Sequence, residues 1–165
     1  MYDHQTESLW SQMMEKSLAG PQAGKKLTKL NSIRTTWKTW RKKYPQTDVL
    51  SDQTGYWRDY SQDPYQGYYR VGTIMFPVGK VRTDLSAKTR VLGLELDGVA
   101  MAFPLQKLQE KVGIIRDRVG STEVLITINS EGEVIGVTQA TGQPIAHIFA
   151  FWFAWQAFHP ETLVR

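Results

Sequence analysis

The second half of the chain is patterned with a period of two. Val91-Leu92-Gly93-Leu94-Glu95-Leu96 and Val99-Ala100-Met101-Ala102-Phe103 flank Asp97-Gly98. That dipeptide between apolar runs signals a β-hairpin, because a two-residue turn needs positive φ at both central positions. Pro104 then opens a short helix with Leu105 and Leu108 three apart, since proline is tolerated in a first turn. Residues 112–119 read as a strand and turn. From Glu123 the alternation puts Val124, Ile126 and Ile128 on one face, and Ser130-Glu131-Gly132-Glu133 turns the chain into a strand over 134–138, a second hairpin.

Before residue 90 the period lengthens or disappears. Residues 9–18 read as a short helix closed by Gly20-Pro21, where glycine accepts a left-handed cap and proline cannot continue the ladder. Leu27, Leu30 and Ile33 lead to Thr35-Thr36, either of which can cap a helix carrying Trp37 and Trp40. Tyr44 precedes Pro45 and is pushed out of helical geometry, so that helix stops there and residues 47–50 read as a short strand. A Tyr-rich, turn-rich loop fills 51–70, the apolar segment Ile74-Met75-Phe76-Pro77-Val78 follows, and residues 79–89 form a polar connector.

One pattern occurs twice. Trp37-x-x-Trp40, Pro45-x-Thr47-x-Val49 near the front matches Trp152-x-x-Trp155, Pro160-x-Thr162-x-Val164 at the end, with the same offsets at all five positions. We read an internal duplication, and it settles the last segment. Alternation from Ile145 supports a strand to about Phe149, and the capped twin supports a helix from about Ala150 to Phe158. The first helix is polar on its outer side and the second apolar all round, so the second is expected to be the more buried. The expected fold is α+β: antiparallel β-hairpins packed with a few short helices, two of them Trp-bearing. It forms one domain over 1–165, in which 1–50 is the tail of a first repeat, 51–89 the Tyr-rich loop and connector, and 90–165 a second, degenerate repeat.

Composition narrows the chemistry. The 165 residues, 41% hydrophobic and 22% charged, fall in the ordinary range for a soluble domain. The longest apolar run, 145–158, contains His147 and Gln156 and is shorter than the ~20 residues a bilayer requires, so no transmembrane segment is expected. With no cysteine there is neither disulfide nor thiolate ligand, and His4, His147 and His159 lack ligand-like spacing. No metal and no cofactor is expected. Asp3, His4 and Ser8 are neighbours in sequence, but a nucleophilic triad requires convergence in space, so no catalytic residue is assigned.

The net charge of +4 is unevenly spread, for no acidic residue stands between Lys16 and Thr47. A basic stretch with interleaved tryptophans can bind anions or stack on bases. Lys38, Arg41 and Lys42, however, fall opposite Trp37, Trp40 and Tyr44 at helical spacing, which favours a solvated face over a nucleic-acid partner. The ligand-binding candidates are instead Tyr56, Trp57, Arg58, Asp59, Tyr60, Tyr65 and Tyr68. Aromatic faces beside a charged pair suit stacking and oriented hydrogen bonds to a small molecule or sugar. The competing expectation is that these rings cover the core and that Arg58 pairs with Asp59.

Several stretches resemble the bacterial and archaeal domain-of-unknown-function family 3179. They are Met1-Tyr2-Asp3-x-x-Thr6-Glu7-Ser8-Leu9-Trp10, Gly20-Pro21-x-x-Gly24, the Trp37/Trp40 motif, Thr54-Gly55-Tyr56-x-Arg58-Asp59-Tyr60, Pro64-Tyr65-x-x-Tyr68, Ala102-Phe103-Pro104-Leu105 and Phe151-Trp152-Phe153-Ala154-Trp155. The resemblance implies a longer protein whose front half carries His-Glu and Cys-Pro-Leu-Cys motifs, so this chain is expected to be truncated and Met1 internal to a longer frame. It also implies a location outside the cytoplasm. Without its front half, the Asp3 to Trp10 segment is expected to lack strand partners. The function expected is a non-catalytic binding or structural module. The alternatives are the supporting half of a metal-handling or thiol-redox protein, and anion or nucleic-acid binding through residues 16–43.

Overall fold

A computed structural model describes residues 1–75 and 78–165, so Phe76 and Pro77 of the expected apolar segment lie outside the described residues. The chain opens with three short strands, β1 (Tyr2–Asp3), β2 (Ser8–Ser11) and β3 (Lys16–Ala19), in an antiparallel sheet of that order. This corrects the helix expected over 9–18 and the expectation that Asp3 to Trp10 lacks partners. Two left-handed residues, Glu7 (φ 52°) and Glu15 (φ 55°), break helical continuity and turn the chain back on itself. The buried positions are the hydroxyls Ser8 and Ser17, while Leu9, Met14 and Leu18 are exposed, so apolar spacing misleads here. Gly20 (φ +90°) closes the turn, where a Cβ would sit 2.7 Å from Ser8 Cα.

Helix α1 (Trp37–Lys43) begins where the sequence places it: Thr36 Oγ1 accepts from the Thr39 N–H at 3.2 Å. The 51–70 loop is irregular up to a one-turn helix, α2 (Gln66–Arg70). Strand β4 (Arg90–Leu96) and β5 (Val99–Pro104) form the Asp-Gly hairpin, with Asp97 at φ 53° and Gly98 at φ 74°. Helix α3 (Leu105–Gln109) buries Leu105 and Leu108. Strands β6 (Gly113–Val119), β7 (Thr122–Ile128) and β8 (Val134–Gln139) make an antiparallel sheet, and Val124, Ile126 and Ile128 are the inward set, as alternation predicts. Strand β9 (Ile148–Phe151) runs two residues past the expected end and leads into α4 (Trp152–Phe158) and β10 (Leu163–Val164).

The central sheet has the order β10-β5-β4-β9, with β10 parallel to β5 and the other pairs antiparallel. Strand β4 is covered on both faces. Leu92 and Leu94 join Phe103, Val119, Val124 and Ile126 in the core shared with the β6–β8 sheet. Val91 packs with Ala102, Trp152 and Trp155 on the other side. Burial on both faces explains why residues 91–94 read as a continuous apolar run rather than an alternating one. The architecture is α+β.

The two Trp-bearing helices share local geometry. Each is preceded by an extended residue (Thr36 φ −77°, ψ 153°; Phe151 φ −77°, ψ 149°) and ends on a residue with φ −129°. Trp40 Nε1 donates to Thr47 Oγ1 at 3.0 Å, and Trp155 Nε1 donates to Thr162 Oγ1 at 2.9 Å. Their surroundings differ, as expected. Trp152 and Trp155 are fully buried, whereas α1 has no buried residue and Trp37 is 48% exposed. The strand expected over 47–50 is absent: Leu163 and Val164 dock on β5, but no ladder forms at Val49 and Leu50, which are exposed.

Candidate functional site

A cleft of about 420 Å3 lies between the N-terminal sheet and the β4–β9 side of the central sheet. Gln12 and Glu15 contribute from the turn between β2 and β3, residues 27–30 from the extended segment beyond the first sheet, Gly93 and Glu95 from β4, and Trp155 from α4. Glu15 pairs with Lys29 at 2.7 Å on this lining. His159, the residue that ends α4, stacks on Trp155 with ring centres 4.0 Å apart. Burial lowers the pKa of its imidazole, against the opposing pull of Glu95 and Glu15.

The second histidine of the cleft is buried. His147 Nδ1 lies 3.0 Å from the Ile145 carbonyl, which can only accept, so Nδ1 carries a proton. Its Nε2 is buried and has no hydrogen-bond partner among the described residues. A buried ring nitrogen without a partner is costly and calls for a partner that the protein itself does not supply. No group of three His, Asp or Glu side chains comes together in metal-binding geometry among the described residues.

At the amino end, Asp3, His4 and Ser8 do not converge. The Asp3 carboxylate accepts from Trp10 Nε1 at 2.6 Å, from the Thr6 N–H at 2.6 Å and from Thr6 Oγ1 at 2.8 Å. These bonds, that from Trp10 foremost, hold the carboxyl down at a pKa of about 2. Ser8 Oγ lies 2.8 Å from Thr6 Oγ1, to which its own hydroxyl can donate, and accepts from the Gln22 N–H, and His4 packs edge-on against Tyr2. The Asp3-x-x-Thr6-x-Ser8-x-Trp10 pattern is therefore a hydrogen-bonded knot that fixes the first sheet.

The Tyr-rich candidates divide into two groups. Tyr56, Trp57, Tyr60 and Tyr65 are exposed, so they do not cover the core. Asp59 accepts from Ser61 and Gln62, and among the described residues no ion pair joins it to Arg58. Tyr60 and Thr54 share a hydrogen bond of 2.7 Å. Tyr68 instead docks inward: Lys88 Nζ stands 3.4 Å from its ring centre and donates to the Tyr68 and Val71 carbonyls. Next to it Tyr69 packs on Phe151, with ring centres 6.1 Å apart. Tyr69, His147 and His159 are not among the residues the sequence marks as ligand-binding candidates. Only Tyr69 carried a legible signal, since it stands four residues after Tyr65 at helical spacing.

The fold and the cleft define an α+β protein with a recess where the antiparallel amino-terminal sheet meets the mixed central sheet. The chain belongs to the family described as Protein of unknown function (DUF3179), whose model matches residues 1–143. No curated protein and no solved structure matches it. The matched stretch ends before β9 and α4, and among the described residues no helix is long and apolar enough to cross a membrane.

Proposed function

We propose that the chain is a non-catalytic binding or structural module that works outside the cytoplasm and takes a small polar molecule such as a sugar. The observation that carries this reading is the cleft: a His159 ring stacked on the buried Trp155, beside a buried His147 whose Nε2 has no partner among the described residues. Ligand sites of this kind pair apolar rings with a few fixed polar groups. The two Trp-bearing segments are, in this reading, copies of one duplicated unit.

The test is a titration of the whole chain with neutral mono- and oligosaccharides, followed by tryptophan fluorescence and thermal unfolding. A bound sugar is expected to raise Tm and perturb Trp155, and His159→Ala is expected to lose that response while keeping the far-UV circular dichroism. Sugar binding that survives His159→Ala and His147→Phe would place the ligand elsewhere.

The exposed rings of the Tyr-rich segment favour a second contact surface. Tyr56, Trp57, Tyr60 and Tyr65 leave apolar faces in water along one segment that also carries Arg58, which has no ion pair among the described residues, and exposed apolar surface can mark an interaction site. With Asp59 and Tyr68 they form the candidate set. Alanine at Arg58 and Tyr60 is expected to abolish binding without unfolding the chain; if the chain unfolds, the rings serve the fold.

A further inference from the structure

Two arginines distant in sequence line one depression. Arg34 comes from the extended stretch before α1 and Arg90 is the first residue of β4. Tyr69, Leu105, Phe149, Ala150 and Phe151 complete a recess of about 250 Å3. The Arg90 guanidinium stands 5.8 Å from the Tyr69 ring centre and 5.9 Å from that of Phe151. No carboxylate lines this recess, and among the described residues neither arginine forms an ion pair.

The acids of the adjoining groove, which Arg34 also lines, keep their charge and are held by neutral donors outside the recess. Glu133 accepts from Thr35 Oγ1 and the Thr36 N–H at 2.8 Å each, and from Asn129 Nδ2 at 2.9 Å. Glu131 accepts from Thr39 Oγ1 at 2.8 Å. Partial burial, and after it the charge of Arg90, lower the pKa of Arg34, against an opposing pull from Tyr69. Guanidinium groups match carboxylate and phosphate oxygens through paired N–H donors, and a cation over aromatic rings next to an apolar floor suits a flat ligand body.

We propose that this recess binds a small organic anion, a carboxylate or phosphate ester on a flat apolar body, with its head group between Arg34 and Arg90 and its body on Phe149 and Phe151 beside Tyr69. The recess is smaller than the ~300–1,000 Å3 of drug-sized pockets, which favours a single ring over an extended polymer. The basic side chains of α1, Lys38, Arg41, Lys42 and Lys43, do not belong to the recess; they supply only a diffuse positive face.

Calorimetric titration of the full chain with phenyl phosphate, benzoate and inorganic phosphate tests the assignment. Saturable binding of phenyl phosphate or benzoate is expected, and the ratio of their affinities identifies the preferred head group. Inorganic phosphate, lacking the ring, is expected to bind about tenfold more weakly than phenyl phosphate. Arg34→Gln and Arg90→Gln are each expected to weaken the organic anions about tenfold, as loss of one charge-assisted contact does. Tyr69→Ser is expected to weaken phenyl phosphate and leave inorganic phosphate unchanged. The paired variant Lys42→Gln/Lys43→Gln is expected to change nothing, and His159→Ala, which disables the cleft, is expected to spare anion binding. Absence of saturation at millimolar concentration, equal binding by the arginine variants, or an equal loss in the lysine variant would overturn the proposal.

Discussion

The Trp155 indole lies directly against the backbone of Gly93: a methyl group at position 93 would stand 2.4 Å from Cε3 and Cζ3 of the ring. Gly93 is not needed for its backbone angles, since its φ is not positive; it is needed for the space it leaves. Gly93→Ala is expected to destabilise the chain by about 1–3 kcal/mol through overpacking. Gly136, with nothing within 4 Å of a would-be Cβ, is the control, and Gly136→Ala is expected to be nearly neutral in urea unfolding.

The paired indole–threonine bonds differ in burial. Thr162 is buried, so Thr162→Val strands the Trp155 N–H away from water and is expected to cost about 1–3 kcal/mol. Thr47 is only half-buried, and water can replace its hydroxyl. Thr47→Val is therefore expected to cost less than about 1 kcal/mol. Equal losses by chemical denaturation would contradict the difference in burial.

Asp3 makes the first sheet acid-sensitive. Its folded pKa of about 2 lies below the ordinary value of 3.8, so the charged form stabilises the native sheet. That contribution is complete above about pH 4 and is lost as pH falls through about 2. The Trp10 indole N–H resonance should report the change across that window, and Asp3→Asn should remove the pH dependence.

Lys88 ties the Tyr-rich segment to the core through the Tyr68 ring and two carbonyls. Lys88→Met is expected to leave the main unfolding transition nearly unchanged while raising proteolytic cleavage within residues 56–70, because loss of local contacts lowers the cost of local opening. Unchanged cleavage would mean that Tyr69 on Phe151 suffices as the anchor.

The two hairpins from residue 90 onward were legible because alternation, the Asp-Gly turn and the Pro104 start are local signals that the packing then reinforces, whereas β10 was not expected. The opening hairpin was not. Its buried face is made of Ser8 and Ser17, and its turns rest on Glu7 and Glu15 in left-handed conformations, so neither apolar period nor glycine marked it. The strand expected at 47–50 failed for a different reason. Its sequence matches the one that docks on β5, but a strand exists only beside another strand. The cleft and the arginine recess were invisible because each joins residues more than fifty positions apart, such as Glu15 with His159 and Arg34 with Arg90.

Strand β4 sets the order in which the molecule opens. Val91 faces one apolar cluster and Leu92 and Leu94 the other, so neither cluster can dissolve while β4 stays in place. Amide hydrogens of residues 91–94 should exchange only through global unfolding, and those of β5, β7 and α4 should exchange with them. The amino-terminal sheet, held mainly by its own hydrogen bonds, should exchange earlier and independently. Loosening that sheet would widen one wall of the cleft while leaving Trp155 and Gly93 fixed.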